Sequence, residues 1–228
     1  IRDVLGSRGL GDVYKRQLTY LAREMVGEGR DDELRDYLNQ IDQSSQYLLS
    51  LLNNIMDMSK IESSKYEINA KPFNISSVLD EVYSVFGATM STKGIRLTIN
   101  SDAVTSPDVI GDEISLRKIL NNLLSNANKF TRSGGRVTIF ASQKQMNEKS
   151  SILHLEVADT GVGISEEFIG HLFEPYTQEM SENGGRAAGS GLGMAICKSM
   201  IDLQGGSISV RSRLGEGTTF YCLLYTSP

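Results

Sequence analysis

The stretch Glu113-Ile-Ser-Leu-Arg-Lys-Ile-Leu-Asn-Asn122-Leu-Leu-Ser-Asn126-Ala-Asn-Lys129-Phe130 reads as one helix with two unlike faces. Leu116, Leu120, Leu123, Leu124 and Ala127 recur at helical intervals and form an apolar stripe, the mark of a helix laid against a core. Asn122, Asn126 and Lys129, spaced four and three, share the opposite face. Asparagine competes for backbone hydrogen bonds and is costly inside a helix, so two of them one turn apart need a reason. Taken alone, this helix fits a solvated face and a polar binding face equally well.

Working outward, Lys71-Pro72 interrupts the pattern, because proline biases its predecessor away from helix. Between that break and the central stretch, the pattern predicts a helix over about 74–90 and a strand over 95–100. Beyond it come predicted strands at 136–142 and 151–158, a glycine-rich region, a helix over 191–203, and strands at 206–211 and 217–221. Helices and mostly antiparallel strands alternate loosely. That order predicts an α/β fold of the two-layer sandwich kind.

Two segments in this region carry candidate chemistry. Asp159 closes the run Ile152–Ala158 and precedes Thr160-Gly161-Val-Gly163. A carboxylate at a strand end can accept a hydrogen bond from an exocyclic amine, and glycines beside it let backbone approach a flat ring. Read alone, Asp-x-Gly favours a turn aspartate ahead of the helix that starts near Ser165. Further on, Gly189-Ser-Gly191-Leu-Gly193 opens directly into Met194-Ala-Ile-Cys-Lys-Ser-Met-Ile201. Glycines at a helix start expose N–H groups where the dipole favours anions, which suits phosphate. The spacing is neither G-x-G-x-x-G nor a P-loop, since no Gly-Lys-Ser/Thr follows. Between Phe173 and Gly189 lies a polar run, 179–188, that reads as a lid from which Arg186 could reach a phosphate.

Upstream, Asp31 to about Tyr66 reads as one long helix, with Leu34, Ile41, Leu48 and Ile55 at heptad spacing. Leu38, Ser45, Leu52 and Ser59 fill the interleaved row, and together the rows mark a seam that packs against other helices. Leu18–Met25 gives a short helix before it, and Gly27-Glu-Gly29 the turn. The result is a helical hairpin ahead of the sandwich.

Five segments occur in one order: Asn122-Leu-Leu-Ser-Asn126-Ala-Asn-Lys129, Asp159-Thr-Gly-Val-Gly163, Phe173-Glu-Pro-Tyr-Thr-Gln178, Gly189-Ser-Gly-Leu-Gly193 and Gly215-Glu-Gly-Thr-Thr-Phe220. They resemble the N, G1, F, G2 and G3 boxes of the histidine-kinase ATP-binding domain. Met56-Asp-Met-Ser-Lys-Ile-Glu62 likewise resembles the end of that family's dimerisation and phosphotransfer hairpin. The resemblance covers roughly Leu18 to Tyr221. It implies a sensor histidine kinase core with a Bergerat-type ATP-binding fold, partitioned as a hairpin over 18–66 and a catalytic domain over 67–221.

The resemblance further implies an ATP site made of Asn122, Asn126, Lys129, Asp159, Gly161, Gly163, Ile164, Phe173, Arg186, Gly189, Gly191, Leu192, Gly193 and Thr218. Within it Asp159 would read the adenine amino group and Asn126 would help hold Mg²⁺, which favours few protein ligands plus phosphate and water. Lys129 would contact phosphate, and Asn122, Asn126 and Lys129 would carry the catalysis. Hydrolysing relatives of this fold, among them type II topoisomerases, place a glutamate general base at the Asn122 position. An amide cannot accept that proton, so Asn122 favours transfer to a delivered histidine over hydrolysis. An ATPase of the same fold and a non-catalytic nucleotide-binding regulator are the alternatives.

In the family the phosphorylated histidine lies in a His-Glu/Asp-x-x-x-Pro segment upstream of Leu18. The sequence has two histidines, His154 and His171, and neither has those flanks. Both read as ordinary surface or structural residues, so the expectation is no phosphoacceptor within this chain. Residues 1–17 and 222–228 resemble translated adapter sequence of the kind that flanks assembled metagenomic genes. Both are expected to be non-native and outside the fold. The implied partners are a response-regulator receiver domain and, in the intact protein, a second copy.

Bulk properties bound these readings. At 228 residues the chain holds one or two units, and no apolar run approaches the ~20 residues that span a bilayer. A net charge of −5 without a basic cluster argues against nucleic acid. Cys197 and Cys222 have no metal-ligand spacing and read as thiols in a reducing compartment, so a cytoplasmic location is expected.

Overall fold

A computed structural model describes residues 31–147, 150–179 and 190–227. The chain divides between Asp57 and Met58 into two compact units. Helix α1 (Asp31–Glu62) is uninterrupted, as expected for a segment without glycine or proline. It stops four residues short of the expected Tyr66. The Lys65 amide donates to the Lys60 carbonyl (2.9 Å) around Ser64, whose φ of 54° is the left-handed turn that closes many helices. The first helix of the expected hairpin and residues 1–17 lie outside the described residues.

The second unit is a sandwich. Its elements are β1 (Lys71–Asn74), α2 (Ile75–Thr92), β2 (Arg96–Ala103), β3 (Asp108–Gly111), α3 (Glu113–Phe130), β4 (Arg136–Asn147), β5 (Ser150–Asp159), α4 (Glu166–Ile169), α5 (Gly193–Leu203), β6 (Ser207–Arg213) and β7 (Gly217–Thr226). The main sheet runs β2-β4-β5-β7-β6, with β2 and β4 parallel and the other pairs antiparallel. Strands β1 and β3 form a separate antiparallel ribbon that the sequence reading lacked. At four residues each, they are too short to display a period.

Alternation along the strands explains the two layers. Val137, Ile139 and Ala141 of β4, Leu153, Leu155 and Val157 of β5, and Phe220, Cys222 and Leu224 of β7 are all buried. Between them Phe140, His154 and Tyr225 are exposed on the other face. A sheet with one apolar face must cover it, and α2, α3 and α5 pack there. Helix α3 presents Leu116, Ile119, Leu120, Leu123, Leu124 and Ala127 as its buried stripe and packs between α2 and α5. Its start is fixed by Asp112, whose side chain accepts from the Ser115 amide (3.1 Å) and hydroxyl (2.7 Å).

The segment 222–228, expected outside the fold, corrects the reading. β7 runs on to Thr226, and Cys222, Leu224 and Thr226 lie opposite Leu155, Leu153 and Ser151 of β5. The period-two burial continues past Tyr221 without a break, so the strand does too.

Candidate nucleotide site

Helix α3 enters the site with its polar face. Asn122 and Asn126 are half-buried and Lys129 is exposed, opposite the apolar stripe. The Asn122 side-chain amide donates to the Lys118 carbonyl (3.1 Å), and Asn122 also hydrogen-bonds the Cys197 sulphur on α5. A Cβ added at Gly193 would stand 2.8 Å from Asn122 Oδ1, so the first residue of α5 passes directly over this asparagine. One turn further on, Asn126 Nδ2 lies 3.3 Å from Met194 Sδ. That contact takes one of the two amide hydrogens and leaves the amide oxygen available to a ligand. The Lys129 ammonium sits 4.6 Å from the centre of the Phe130 ring, and partial burial lowers its pKa from the usual lysine value.

The start of α5 has the expected geometry for an anion. Its N-cap is Leu192, and no side chain caps it. Uncapped amides at a helix start carry the positive end of the dipole and are a ready anion site. Gly191 has a φ of 68°, and a Cβ there would lie 2.7 Å from the Thr177 carbonyl oxygen. Only glycine lets the turn into α5 fold over the Phe173–Gln178 segment, where the Tyr176 amide donates to the Gly191 carbonyl (2.9 Å).

Asp159 ends β5 at the opposite side. Its Oδ1 accepts from the Gly161 amide (2.8 Å), and the Thr218 amide donates to it as well. Burial nevertheless pushes its pKa above the ordinary aspartate value, because desolvation outweighs those two bonds. Gly161 is buried against Asp159 and the Phe130 carbonyl, which takes the Val162 amide (3.2 Å) and so ties this loop to the end of α3. Gly163 has a φ of 73°, with the Arg213 carbonyl oxygen 2.0 Å from where a Cβ would stand. The Ile164 amide donates to Ser212 Oγ (2.8 Å), and the Gly215 amide to the Val162 carbonyl (2.8 Å). Thr218 is buried across from Asp159 on β7.

Asn122, Asn126, Asp159, Gly161, Gly163, Ile164, Gly191, Leu192, Gly193 and Thr218 thus lie on segments joined by direct contacts. Phe173 is half-buried in the segment docked on Gly191. Arg186 and Gly189 lie outside the described residues. His154 and His171 are both exposed, and His171 Nδ1 is 3.1 Å from Glu174. The sequence reading missed Ser212, Met194 and the Phe130 carbonyl. Ser212 stands six residues before Thr218, but its meaning depends on the β6–β7 register.

Comparison with known proteins now decides the family. The His Kinase A (phospho-acceptor) domain matches residues 18–64, and the histidine kinase-, DNA gyrase B- and HSP90-like ATPase family matches residues 111–227. The chain belongs to the sensor histidine kinases. This kinase core is similar to the autoinducer 2 sensor kinase/phosphatase LuxQ of Vibrio parahaemolyticus, 37% identical over 84% of this chain and 23% of that relative. It is also similar to the signal transduction histidine-protein kinase BarA of Escherichia coli K12, 34% identical over 82% of this chain and 20% of BarA. The chain therefore spans under a quarter of the length of these two relatives. Among solved structures, full-length ShkA in complex with AMPPNP superposes with a TM-score of 0.71 at 27% identity, over 93% of this chain and 46% of ShkA. Among the described residues, no helix is long and apolar enough to cross a membrane.

Proposed function

We propose that this kinase core binds ATP and transfers its γ-phosphoryl group to a histidine, for relay to an aspartate on a response-regulator receiver domain. The observation that carries the reading is the meeting of a half-buried carboxylate for the base, an uncapped helix start for phosphate and a polar helix face between them. Asp159 takes the adenine amino group. The amides of Gly193 and Met194 face the phosphates, and Lys129 neutralises charge on them.

Mg²⁺ fits these residues. Among the described residues no three His, Cys, Asp or Glu side chains gather into a metal cage, and a magnesium ion needs none when phosphates and water supply most ligands. Asn126 would give its one amide oxygen, and the bound ion would offset phosphate charge. Asn122 has no carboxylate with which to draw a proton from water, which supports transfer over hydrolysis. The accepting histidine comes from outside the described residues, and the reading includes a second copy paired through α1 and a cytoplasmic location.

Isothermal titration with ATP, with and without Mg²⁺, tests the proposal on the whole chain. Magnesium-dependent binding should weaken roughly 10- to 100-fold in Asp159→Asn, the range for losing a hydrogen bond to a charged group. Phosphate should then appear on a separate histidine-bearing hairpin from a related kinase. A folded chain that binds no ATP would sink the reading.

A further inference from the structure

On the helix-covered face of the sheet the two rungs next to the site are apolar, whereas the far end carries Gln145, Ser151 and Thr226. Ala141, Leu155, Cys222 and Ile208 stand abreast, followed by Ile139, Val157, Phe220 and Val210. The next rung is Val137, Asp159, Thr218 and Ser212. Three polar side chains side by side on a core-facing rung carry a desolvation cost that packing does not explain. Asp159 and Thr218 belong to the base site proposed above. Ser212 has had no role assigned.

Its hydroxyl meets three groups. The Ile164 amide donates to Ser212 Oγ at 2.8 Å, Ser212 Oγ donates to the Gly217 carbonyl at 2.8 Å, and Thr218 Oγ1 lies 2.9 Å away. A hydroxyl has one hydrogen and two lone pairs. An amide N–H only donates and a carbonyl only accepts, so the Ser212 hydrogen goes to Gly217 and one lone pair to Ile164. The second lone pair faces Thr218, whose own hydrogen must fill it. Thr218 Oγ1 is left with accepting capacity alone. Gly217 and Thr218 are both buried, so reversing the chain would cost the Gly217 carbonyl the Ser212 hydrogen in a desolvated place.

We propose that Ser212 is a specificity-determining positioning residue that acts without touching the nucleotide. It turns Thr218 into an acceptor beside the Asp159 carboxylate. The base pocket then presents two acceptors, which favour the 6-amino group of adenine and repel the 6-oxo group of hypoxanthine or guanine. The inference rests on the nucleotide reading and names how that site selects its base.

The test is the ratio of ATP to ITP affinity, measured by titration on the whole chain, with circular dichroism melting to establish folding. In the wild type ATP should bind on the order of 100-fold tighter than ITP. Ser212→Ala releases the Thr218 hydrogen to turn toward the base and donate to a 6-oxo group, so the ratio should fall roughly tenfold while ITP binding holds or improves. Thr218→Val should weaken ATP several-fold more than ITP, and adding Ser212→Ala to it should leave the ratio unmoved. A purely structural brace would lower both affinities together, and an unchanged ratio in folded Ser212→Ala overturns the proposal. Should Ser212→Ala not fold, equal losses for both nucleotides in Thr218→Val overturn it. A wild type that binds neither nucleotide overturns the underlying nucleotide reading instead.

Discussion

Asp159 is held ionised at a thermodynamic cost. Burial raises its pKa although two amides donate to it, so ionising Asp159 costs more in the unliganded fold than in the unfolded chain. Its contribution to stability is fully present below the ordinary aspartate range and is lost as pH rises through the raised value. Asp159→Asn carries no charge at any pH and keeps an amide oxygen for the Gly161 and Thr218 amides. Thermal melting of the two unliganded proteins across pH should show the variant gaining on the wild type as pH rises from the acid range to neutrality. Above that range its melting temperature should be the higher, while its ATP affinity is the lower. An equal or lower neutral melting temperature for the variant would refute the desolvation account. Strain kept at a ligand site in exchange for function is a general pattern. Asp159 was readable from its glycines and neighbouring boxes, whereas Ser212 was not. A serine in a strand carries no signal until the strand beside it is known.

At the scale of elements, α3 was predicted with its observed bounds because its signals agree. Asp112 caps it, the apolar stripe has helical period, and Thr131 and Gly134 follow its end. Asp112 does more than cap, since its second oxygen accepts from the Asn69 amide (3.3 Å) and Ser115 Oγ reaches the Tyr66 hydroxyl (2.9 Å). This network fastens the connector 66–70 to the start of the helix that carries Asn122 and Asn126. Asp112→Ala should cost about 2 kcal/mol in urea unfolding, from a lost cap and stranded buried donors. Asp112→Asn should recover roughly half of that. The end of β7 misled the sequence reading, because its likeness to foreign sequence outweighed a period that was present. Truncation after Tyr221 removes Cys222 and Leu224, 1% and 3% exposed, together with their ladder to β5. It should destabilise the sandwich by at least about 3 kcal/mol in the same assay. A truncated chain as stable as the whole would show that the segment adds nothing.

At the scale of the whole molecule, the two units follow different physics. The sandwich closes its own core, with both faces of α3 committed to packing or to the site. Helix α1 carries Leu38, Leu49, Leu52 and Met56 about half exposed or more, and one helix has no second surface on which to bury such a stripe. Sedimentation equilibrium should find the chain self-associating at micromolar concentration. The pair Leu38→Lys and Leu52→Lys should shift it toward monomer without altering the sandwich's melting transition. Unchanged association in that variant would place the contact elsewhere.

Sequence alone determined the order of helices and strands, the apolar stripe of α3, the heptads of α1 and the five boxes, because each is a local pattern written within a few turns or residues. Tertiary structure decided the strand order β2-β4-β5-β7-β6, the β1–β3 ribbon and the reach of β7. It also decided the polar rung of Asp159, Thr218 and Ser212. The reason is register: Asp159 and Thr218, 59 positions apart, become neighbours only when strands align, and the hydrogen-bond direction from Ser212 to Thr218 exists only in that alignment.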